Sequence, residues 1–167
     1  MVRRINAFRY AGVLESSYLI DEMTVEIIAD GKHLPASLLK LVYKIKGADK
    51  ICLVTDSMRA AGMPDGEYTI GRLKNGENVV VENGVAKLID RSAFAGSVAN
   101  TNLLVKNVKD LAEIPIHKAV KMVTLTPARV MGIDNKKGSL LIGKDADIVV
   151  FDENINPLIV IVGGDIR

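Results

Sequence analysis

A strand–helix–strand pattern early in the chain constrains the fold most strongly. The run V-E-I-I-A at 25–29 predicts a short strand, and the turn formers Asp30 and Gly31 end it. Apolar residues then recur at helical spacing until Gly47, a typical C-terminal stop. The apolar run I-C-L-V at 51–54 predicts a second strand that is covered on both faces. Two strands joined by a helix predict a β-α-β unit, a parallel sheet and an α/β fold.

The middle of the chain predicts an antiparallel arrangement instead. Short strand candidates at 68–73, 78–82 and 85–89 are separated by Asn-Gly pairs at 75–76 and 83–84. Asn-Gly between such runs is the strongest short-range hairpin signal, so we expect a β-hairpin insertion near residues 66–90. The remaining predicted elements are a helix after Ala95-Gly96-Ser97, a second at 117–123, a short third at 124–132 with Thr126 as N-cap, and strands at 148–151 and 158–162.

Composition excludes several classes of protein. With 167 residues and 49% hydrophobic content, the chain can bury a core and is not disordered. Its apolar runs are far shorter than the ~20 residues of a membrane helix, and no signal peptide is apparent. The net charge of +2 is spread along the chain, which disfavours nucleic acid as a partner. A single cysteine fits a reducing compartment, so we expect a cytoplasmic protein that binds neither membrane nor nucleic acid.

One motif is misleading. The segment Gly138–Lys144 has the Gly-x-x-x-x-Gly-Lys spacing of a phosphate-binding P-loop. That motif needs a Ser or Thr next and then a helix, whereas Asp145 and a predicted strand follow here. We interpret the segment as a turn between strands.

Two polar side chains are candidates for chemistry. Asp56 follows a predicted buried strand, and parallel α/β proteins place their active sites at this end of the sheet. The alternative is an Asp that caps the next segment through its side-chain oxygen. His33 follows the preceding strand and is expected at the same edge, although a histidine in a loop is often simply solvated. Both interpretations remain open from the residues alone.

Several segments in order resemble a known family. They are V-E-I-I-A-D-G-K-H at 25–33, L-V-T-D-S-M-R-A-A-G at 53–62, Ala95–Ser97, T-L-T-P-A-R-V-M-G at 124–132 and G-S-L-L-I-G-K-D-A-D-I-V-V-F-D at 138–152. Together they resemble the C-terminal part of the N-acetylglucosamine-6-phosphate deacetylases, within the amidohydrolase superfamily. The last segment is typical of the superfamily, whereas the first two are closer to the deacetylases. The resemblance runs from about Asn6 to the C-terminus.

The resemblance implies hydrolysis of the acetamide of N-acetylglucosamine 6-phosphate, which gives glucosamine 6-phosphate and acetate. Asp56 matches the family's catalytic aspartate, which takes a proton from the attacking water and later delivers it to the leaving amine. The substrate-binding positions implied in the same way are Asn6, Ala7, Arg9, His33, Phe94, Ala95 and Gly96. Of these, Arg9 matches a phosphate-binding arginine, whose planar, permanently charged guanidinium suits phosphate geometry.

The resemblance also implies a divalent metal, zinc or iron, that activates the water. The family's ligands are a glutamate and two histidines. The glutamate and one histidine belong to sequence that this chain does not contain, and Arg3 stands at the position of the other histidine. Because arginine cannot lose its proton to become a ligand, we predict no metal ligands in this chain.

The implied architecture is part of a (β/α)8 TIM-type barrel over residues 1–135, with the hairpin insertion near 66–90, and a β-sandwich segment over 136–167. Half a barrel would expose strand edges, so we expect a homo-oligomer or pairing with a complementary N-terminal half. We also expect the chain to be truncated and inactive alone. The competing hypothesis is a non-catalytic remnant or assembly partner that binds phosphosugar.

Overall fold

The computed structural model describes residues 12–72 and 74–167. The helices in these ranges are α1 (Val13–Leu19), α2 (Ala36–Lys46), α3 (Thr101–Ala112), α4 (Ile116–Val123) and α5 (Leu125–Val130). The strands are β1 (Val25–Ile27), β2 (Ile51–Leu53), β3 (Gly66–Ile70), β4 (Glu77–Glu82), β5 (Val85–Leu88), β6 (Ile148–Phe151), β7 (Pro157–Val162) and β8 (Asp165–Ile166). They form three separate sheets, ordered β1-β2, β3-β4-β5 and β6-β7-β8.

The predicted β-α-β unit is confirmed. Strands β1 and β2 pair in parallel, with Val25 opposite Ile51 and Ile27 opposite Leu53, and α2 connects them. Each strand is shorter than predicted, because the chain leaves the ladder at Ile27 and Leu53 and turns into loops that carry polar residues. The α/β class is therefore correct, while the described residues contain no closed barrel.

The main hydrophobic core lies between β1, β2 and helices α2, α3 and α4. Leu39, Ile51, Leu104 and Met122 are its largest fully buried apolar side chains, with at most 1% of their surface exposed. The buried residues of each helix recur at helical spacing, whereas Ile51 lies on a strand that is buried throughout. This core supports the loops at the carboxyl ends of β1 and β2.

Helix α1 was not among the predicted elements. It is seven residues long, and Lys46 at the end of α2 holds its C-terminal end. The Lys46 ammonium is buried and donates to the carbonyl oxygens of Ser17 at 2.9 Å and Ile20 at 2.7 Å. A cation at the C-terminal carbonyls of a helix compensates both the unpaired oxygens and the helix dipole. The contact is long-range, so the local sequence pattern gave no sign of it.

The predicted antiparallel strands are present as the sheet β3-β4-β5. Asn83 and Gly84 connect β4 to β5 with φ angles of 54° and 70°, as a two-residue hairpin turn with both residues at positive φ requires. The other predicted hairpin, β3–β4, is also present, but Ile70 pairs with Glu77, so its connection runs over 71–76 and Asn75-Gly76 is not a two-residue turn. Leu73, predicted at the end of β3, lies outside the described residues. A second core cluster packs on this sheet and contains Ala60, Val79, Val81, Ala86 and Ala95.

The three predicted helices after residue 97 are present, with one correction. Thr126 is not the N-cap of α5; Thr124 occupies that position, and Thr126 lies inside the helix. The buried Thr126 hydroxyl donates to the carbonyl oxygen of Ala48 at 2.7 Å. This bond joins α5 to the loop before β2. In the sequence, a threonine in this role looks the same as a threonine that caps a helix.

The last sheet, β6-β7-β8, is antiparallel, and β8 was not predicted. The segment Gly138–Lys144 leads into β6 rather than into a helix, as predicted, but it follows α5 and is therefore not a turn between two strands. The Lys144 ammonium folds back onto this segment and donates to Ser139 Oγ at 2.6 Å. In the part of the chain that the structure describes, no helix has the length and apolar character needed to span a membrane.

Candidate active site

Three chain segments meet at the carboxyl ends of β1 and β2. The amide of Val54 donates to the carbonyl oxygen of Ile27 at 3.0 Å, which extends the β1–β2 ladder by one bond. Beyond it, the amide of Ser97 donates to the carbonyl oxygen of Asp56 at 2.9 Å, and the amide of Met58 donates to the carbonyl oxygen of Ser97 at 2.8 Å. Ser57 and Ser97 therefore pair in parallel, so the stretch before α3 lies beside the loop after β2.

His33 is held between two side chains. Its Nδ1 lies 2.8 Å from Oδ2 of Asp30, and its ring meets Phe94 edge to face with centroids 5.1 Å apart and planes at 66°. The His33 side chain is 22% exposed, whereas that of Asp30 is 6% exposed. The imidazole is consequently fixed at the open edge of the sheet and keeps one side accessible.

Asp30 accepts hydrogen bonds from three directions. Besides the imidazole, the backbone amides of Lys32 and His33 both donate to its Oδ1 at 2.9 Å. Burial alone would raise the pKa of the Asp30 carboxyl, but the bonds from the His33 and Lys32 amides and from the imidazole outweigh it and lower that pKa below its ordinary value. Asp30 is therefore an ionised, buried carboxylate at neutral pH.

Asp56 stands on the loop after β2 in a left-handed conformation, with φ at 48°. It is exposed, so its carboxylate is accessible at the same edge as His33. Gly96 approaches its backbone closely: a Cβ placed on Gly96 would lie 3.2 Å from the Asp56 carbonyl oxygen, and Gly96 itself has φ at 79°. Position 96 must therefore be glycine for the chain to approach Asp56 this closely without strain.

Two polar side chains behind the site hold these loops in place. Ser97 is buried, and its Oγ accepts a hydrogen bond from the amide of Ala99 at 2.9 Å. Asn107 on α3 donates from Nδ2 to the carbonyl oxygen of Ala29 at 2.9 Å, which ties the end of β1 to the helix. Both bonds satisfy backbone groups that leave the sheet ladder just before the site.

The structure places the predicted site residues that it describes in two contacts, which residues 94–96 join along the chain. His33 contacts Phe94, Asp56 contacts Gly96, and Ala95 is buried between those two partners along the chain. The predicted positions Asn6, Ala7 and Arg9, and Arg3 at the expected ligand position, lie outside the described residues.

Sequence reasoning missed three positioning groups: Asp30, Ser97 and Asn107. Asp30 was interpreted only as a turn former, although an aspartate three residues before a histidine can reach that imidazole. Asn107 interrupts an otherwise apolar helix face, and a polar residue in such a stripe signals a specific buried bond. Ser97 gave no comparable signal.

The described residues do not fit a metal ion. Within 12–72 and 74–167, no three His, Cys, Asp or Glu side chains lie close enough together to bind one. His33 Nδ1 is occupied by Asp30, and His117 is exposed on α4. A ligand set for the divalent metal that the resemblance implies would have to draw on groups beyond these ranges.

Comparison with known proteins places these features in a family. Residues 5–167 match the model of the amidohydrolase family. The chain is 37% identical over 147 residues to N-acetylglucosamine-6-phosphate deacetylase of Lysinibacillus sphaericus, an alignment that covers 88% of this chain and 36% of that protein. It is 36% identical over 132 residues to N-acetylgalactosamine-6-phosphate deacetylase of Escherichia coli O157:H7, covering 79% of this chain and 33% of that protein.

A solved structure agrees. The crystal structure of N-acetylglucosamine-6-phosphate deacetylase from Pasteurella multocida superposes with a TM-score of 0.89 at 30% identity, covering 98% of this chain and 41% of that one. The chain spans less than half the length of each of these three relatives. Since the family model matches nearly all of its residues, the chain belongs to the amidohydrolase family.

Proposed function

We propose that this chain supplies part of the active site of a deacetylase that acts on N-acetylglucosamine 6-phosphate in amino sugar metabolism. The reaction hydrolyses the acetamide and gives glucosamine 6-phosphate and acetate. The observation that carries the proposal is the meeting of His33, Phe94, Gly96 and Asp56 at one sheet edge. Two relatives of this chain are deacetylases of that phosphosugar, which supports the choice of substrate.

Asp56 is the proposed catalytic residue. An exposed carboxylate at the end of a parallel strand can accept the proton of the attacking water and return it to the leaving amine. Both transfers need the carboxylate near a defined position, and the bond from the Ser97 amide to the Asp56 carbonyl oxygen restrains the backbone that carries it. The backbone contact with Gly96 limits the loop further.

The sugar is proposed to bind beside His33, Phe94, Ala95 and Gly96. The exposed Phe94 ring offers an apolar face for the pyranose or its acetyl group, while His33 offers a hydrogen-bonding nitrogen. Three further proposed contacts, Asn6, Ala7 and the phosphate-binding Arg9, lie outside the described residues.

The proposed architecture follows the same relatives. Residues 1–135 would form the later strands and helices of a TIM-type barrel, with β3-β4-β5 as the insertion near 66–90. Residues 136–167 would form part of a β-sandwich, with the antiparallel sheet β6-β7-β8 in one of its layers. We place the protein in the cytoplasm on the grounds of its single, buried cysteine.

A divalent metal, zinc or iron, is part of the proposal and would supply an activated water when bound. The residues described do not hold it, so a complementary N-terminal half is the proposed source of ligands. The same observation favours the second candidate function, a non-catalytic remnant or assembly partner that binds phosphosugar.

Acetate release separates the two candidates. The purified chain is mixed with the part of a full-length deacetylase that it does not match, and acetate is measured with N-acetylglucosamine 6-phosphate. N-acetylgalactosamine 6-phosphate and unphosphorylated N-acetylglucosamine are the comparison substrates. We expect acetate only from the mixture and only from a phosphorylated sugar. Calorimetric binding of phosphosugar to the chain, without acetate release from the mixture, would support the non-catalytic candidate instead.

A further inference from the structure

The carboxylate of Asp30 has no assigned role in the proposed reaction, yet it is the most enclosed charged group near the site. Its side chain is 6% exposed and accepts three hydrogen bonds, all from a stretch that ends at His33. A turn needs only the two backbone bonds to Oδ1. The third bond, from Oδ2 to the imidazole, therefore serves His33 and not the turn.

That third bond determines which imidazole nitrogen carries a proton. An ionised carboxylate can only accept hydrogen bonds, so a neutral imidazole at 2.8 Å must present Nδ1–H to it. The lone pair is then left on Nε2. Among the described residues, Nε2 has no hydrogen-bond partner. Every buried side-chain nitrogen in those residues has a partner, so Nε2 is not buried by them.

Phe94 completes the restraint. Its ring lies edge to face against the imidazole, with centroids 5.1 Å apart, so the ring of His33 is held by an aromatic neighbour as well as by Asp30. A histidine fixed in orientation and in tautomer presents one defined atom to a ligand.

We propose that Asp30 is the positioning residue of this site: it holds neutral His33 as the Nδ1–H tautomer, so that Nε2 faces the ligand as a hydrogen-bond acceptor. The matching ligand group is a donor, such as a sugar hydroxyl or an amide N–H. The tautomer depends only on the chain itself. The assignment of the donor to a phosphosugar rests on the proposed function.

The experiment is nitrogen NMR of the full chain labelled with ¹⁵N-histidine, at alkaline pH where imidazoles are neutral. The chain has two histidines, and His117→Gln assigns their signals. We expect the His33 Nδ1 signal in the protonated range and the Nε2 signal in the unprotonated range. A proton on Nε2 in the wild-type chain, or an even mixture of tautomers, would overturn the proposal without any variant.

Asp30→Asn tests the cause. The amide oxygen of the asparagine can still accept from the amides of Lys32 and His33, so the turn is kept, but an NH₂ group then faces Nδ1. We expect the tautomer to reverse, with the proton moving to Nε2. Asp49→Asn is the matched control, since Asp49 pairs with Lys121 and Arg129 and should leave His33 unchanged. An unchanged tautomer in Asp30→Asn would overturn the proposal.

Adding N-acetylglucosamine 6-phosphate to the same labelled chain links the two proposals. A shift of the Nε2 signal that is lost in Asp30→Asn supports the acceptor role toward the sugar. An Nδ1–H tautomer with no response to the phosphosugar would count against the proposed substrate, while a wrong tautomer counts against Asp30.

Discussion

The carbonyl oxygen of Asp56 accepts a hydrogen bond from the amide of Ser97 at 2.9 Å, across forty-one positions of sequence. This bond joins the loop after β2 to the stretch before α3, and Gly96 stands directly beside it. The position of the proposed catalytic residue thus depends on a loop far away in the chain.

The first prediction concerns this close approach. Gly96→Ala places a methyl group 3.2 Å from the Asp56 carbonyl oxygen, at φ 79°. Gly62→Ala is the matched control, because Gly62 has φ 76° and no atom within 4 Å of the added Cβ. We expect each variant to lose about 1–2 kcal/mol for the backbone conformation, and Gly96→Ala to lose more. Urea unfolding measures the difference, and equal losses would contradict the close contact.

The second prediction concerns stability at acid pH. The pKa of Asp30 in the folded chain lies below its ordinary value of 3.8. Its carboxylate therefore stabilises the fold above pH 3.8, and this contribution disappears as the pH falls through the lower, folded-state value. We expect Asp30→Asn to cost about 1–2 kcal/mol at pH 6 and progressively less below pH 3.8, where protonation removes the same negative charge from the wild type.

The measurement for Asp30 is the difference in unfolding free energy between wild type and variant across pH 2–6. Asp49→Asn is the control: the ion pairs with Lys121 and Arg129 lower the pKa of Asp49 too, but its side chain is 54% exposed. Solvent screens such pairs, so its effect should be smaller. A constant cost of Asp30→Asn over the whole pH range would contradict the assignment.

The third prediction concerns proton transfer. In a mixture that releases acetate, Asp56→Asn should reduce the rate by about 10²–10⁴-fold, since the amide keeps the shape and cannot carry the proton. Asp21→Asn, at an exposed carboxylate before β1, should leave the rate unchanged. Steady-state acetate release is the readout. Turnover close to wild type in Asp56→Asn would remove this residue from the mechanism.

The fourth prediction concerns metal content. The purified chain is expected to contain no stoichiometric zinc or iron and to release no acetate alone, because its described residues form no ligand cluster. Arg3→His, outside those residues, should restore neither property, since one histidine does not make a site. Plasma mass spectrometry measures the metal. One ion per chain, with acetate release that Asp56→Asn abolishes, would refute this expectation.

The fifth prediction concerns association. Large apolar side chains are exposed along the turn before β6, including Leu140 at 75% and Ile142 with its whole surface open. Exposed apolar groups of this kind favour contact with another surface. We expect sedimentation to detect self-association, and the double variant Leu140→Lys, Ile142→Lys to reduce it. Ser37→Lys on the exposed face of α2 adds charge elsewhere and should have no effect.

Sequence patterns predicted the parts of the fold that local chemistry determines. The β1-α2-β2 unit follows from apolar spacing, and the turn at Asn83-Gly84 follows from two residues that tolerate positive φ. The failures depend on distant contacts. Lys46 donates a hydrogen bond to a carbonyl oxygen of helix α1, and Thr126, inside α5, donates one to the carbonyl oxygen of Ala48. Neither partner is near in sequence, so no local signal distinguishes these outcomes.

The candidate site divides in the same way. Asp56 and His33 could be predicted because they lie on the loops that follow strands identified by the apolar runs. Their partners could not, because the meeting of Phe94 with His33 depends on how residues 57–93 return to the sheet. Only the fold shows that Asp30 turns its second oxygen toward an imidazole rather than toward solvent.

The sheet β3-β4-β5 has a consequence for how this site assembles. It occupies most of the interval between Ser57 and Ser97, whose pairing closes a long loop. Closing an unstructured loop of that length is entropically costly, whereas hairpins form within about 1–10 μs from local contacts. A sheet that forms first shortens the effective loop, and its core includes Ala95 at the site's edge. Folding of the hairpins would then precede the joining of Asp56 to Ser97, and the Ser97 amide would exchange with deuterium sooner than the amides of β4.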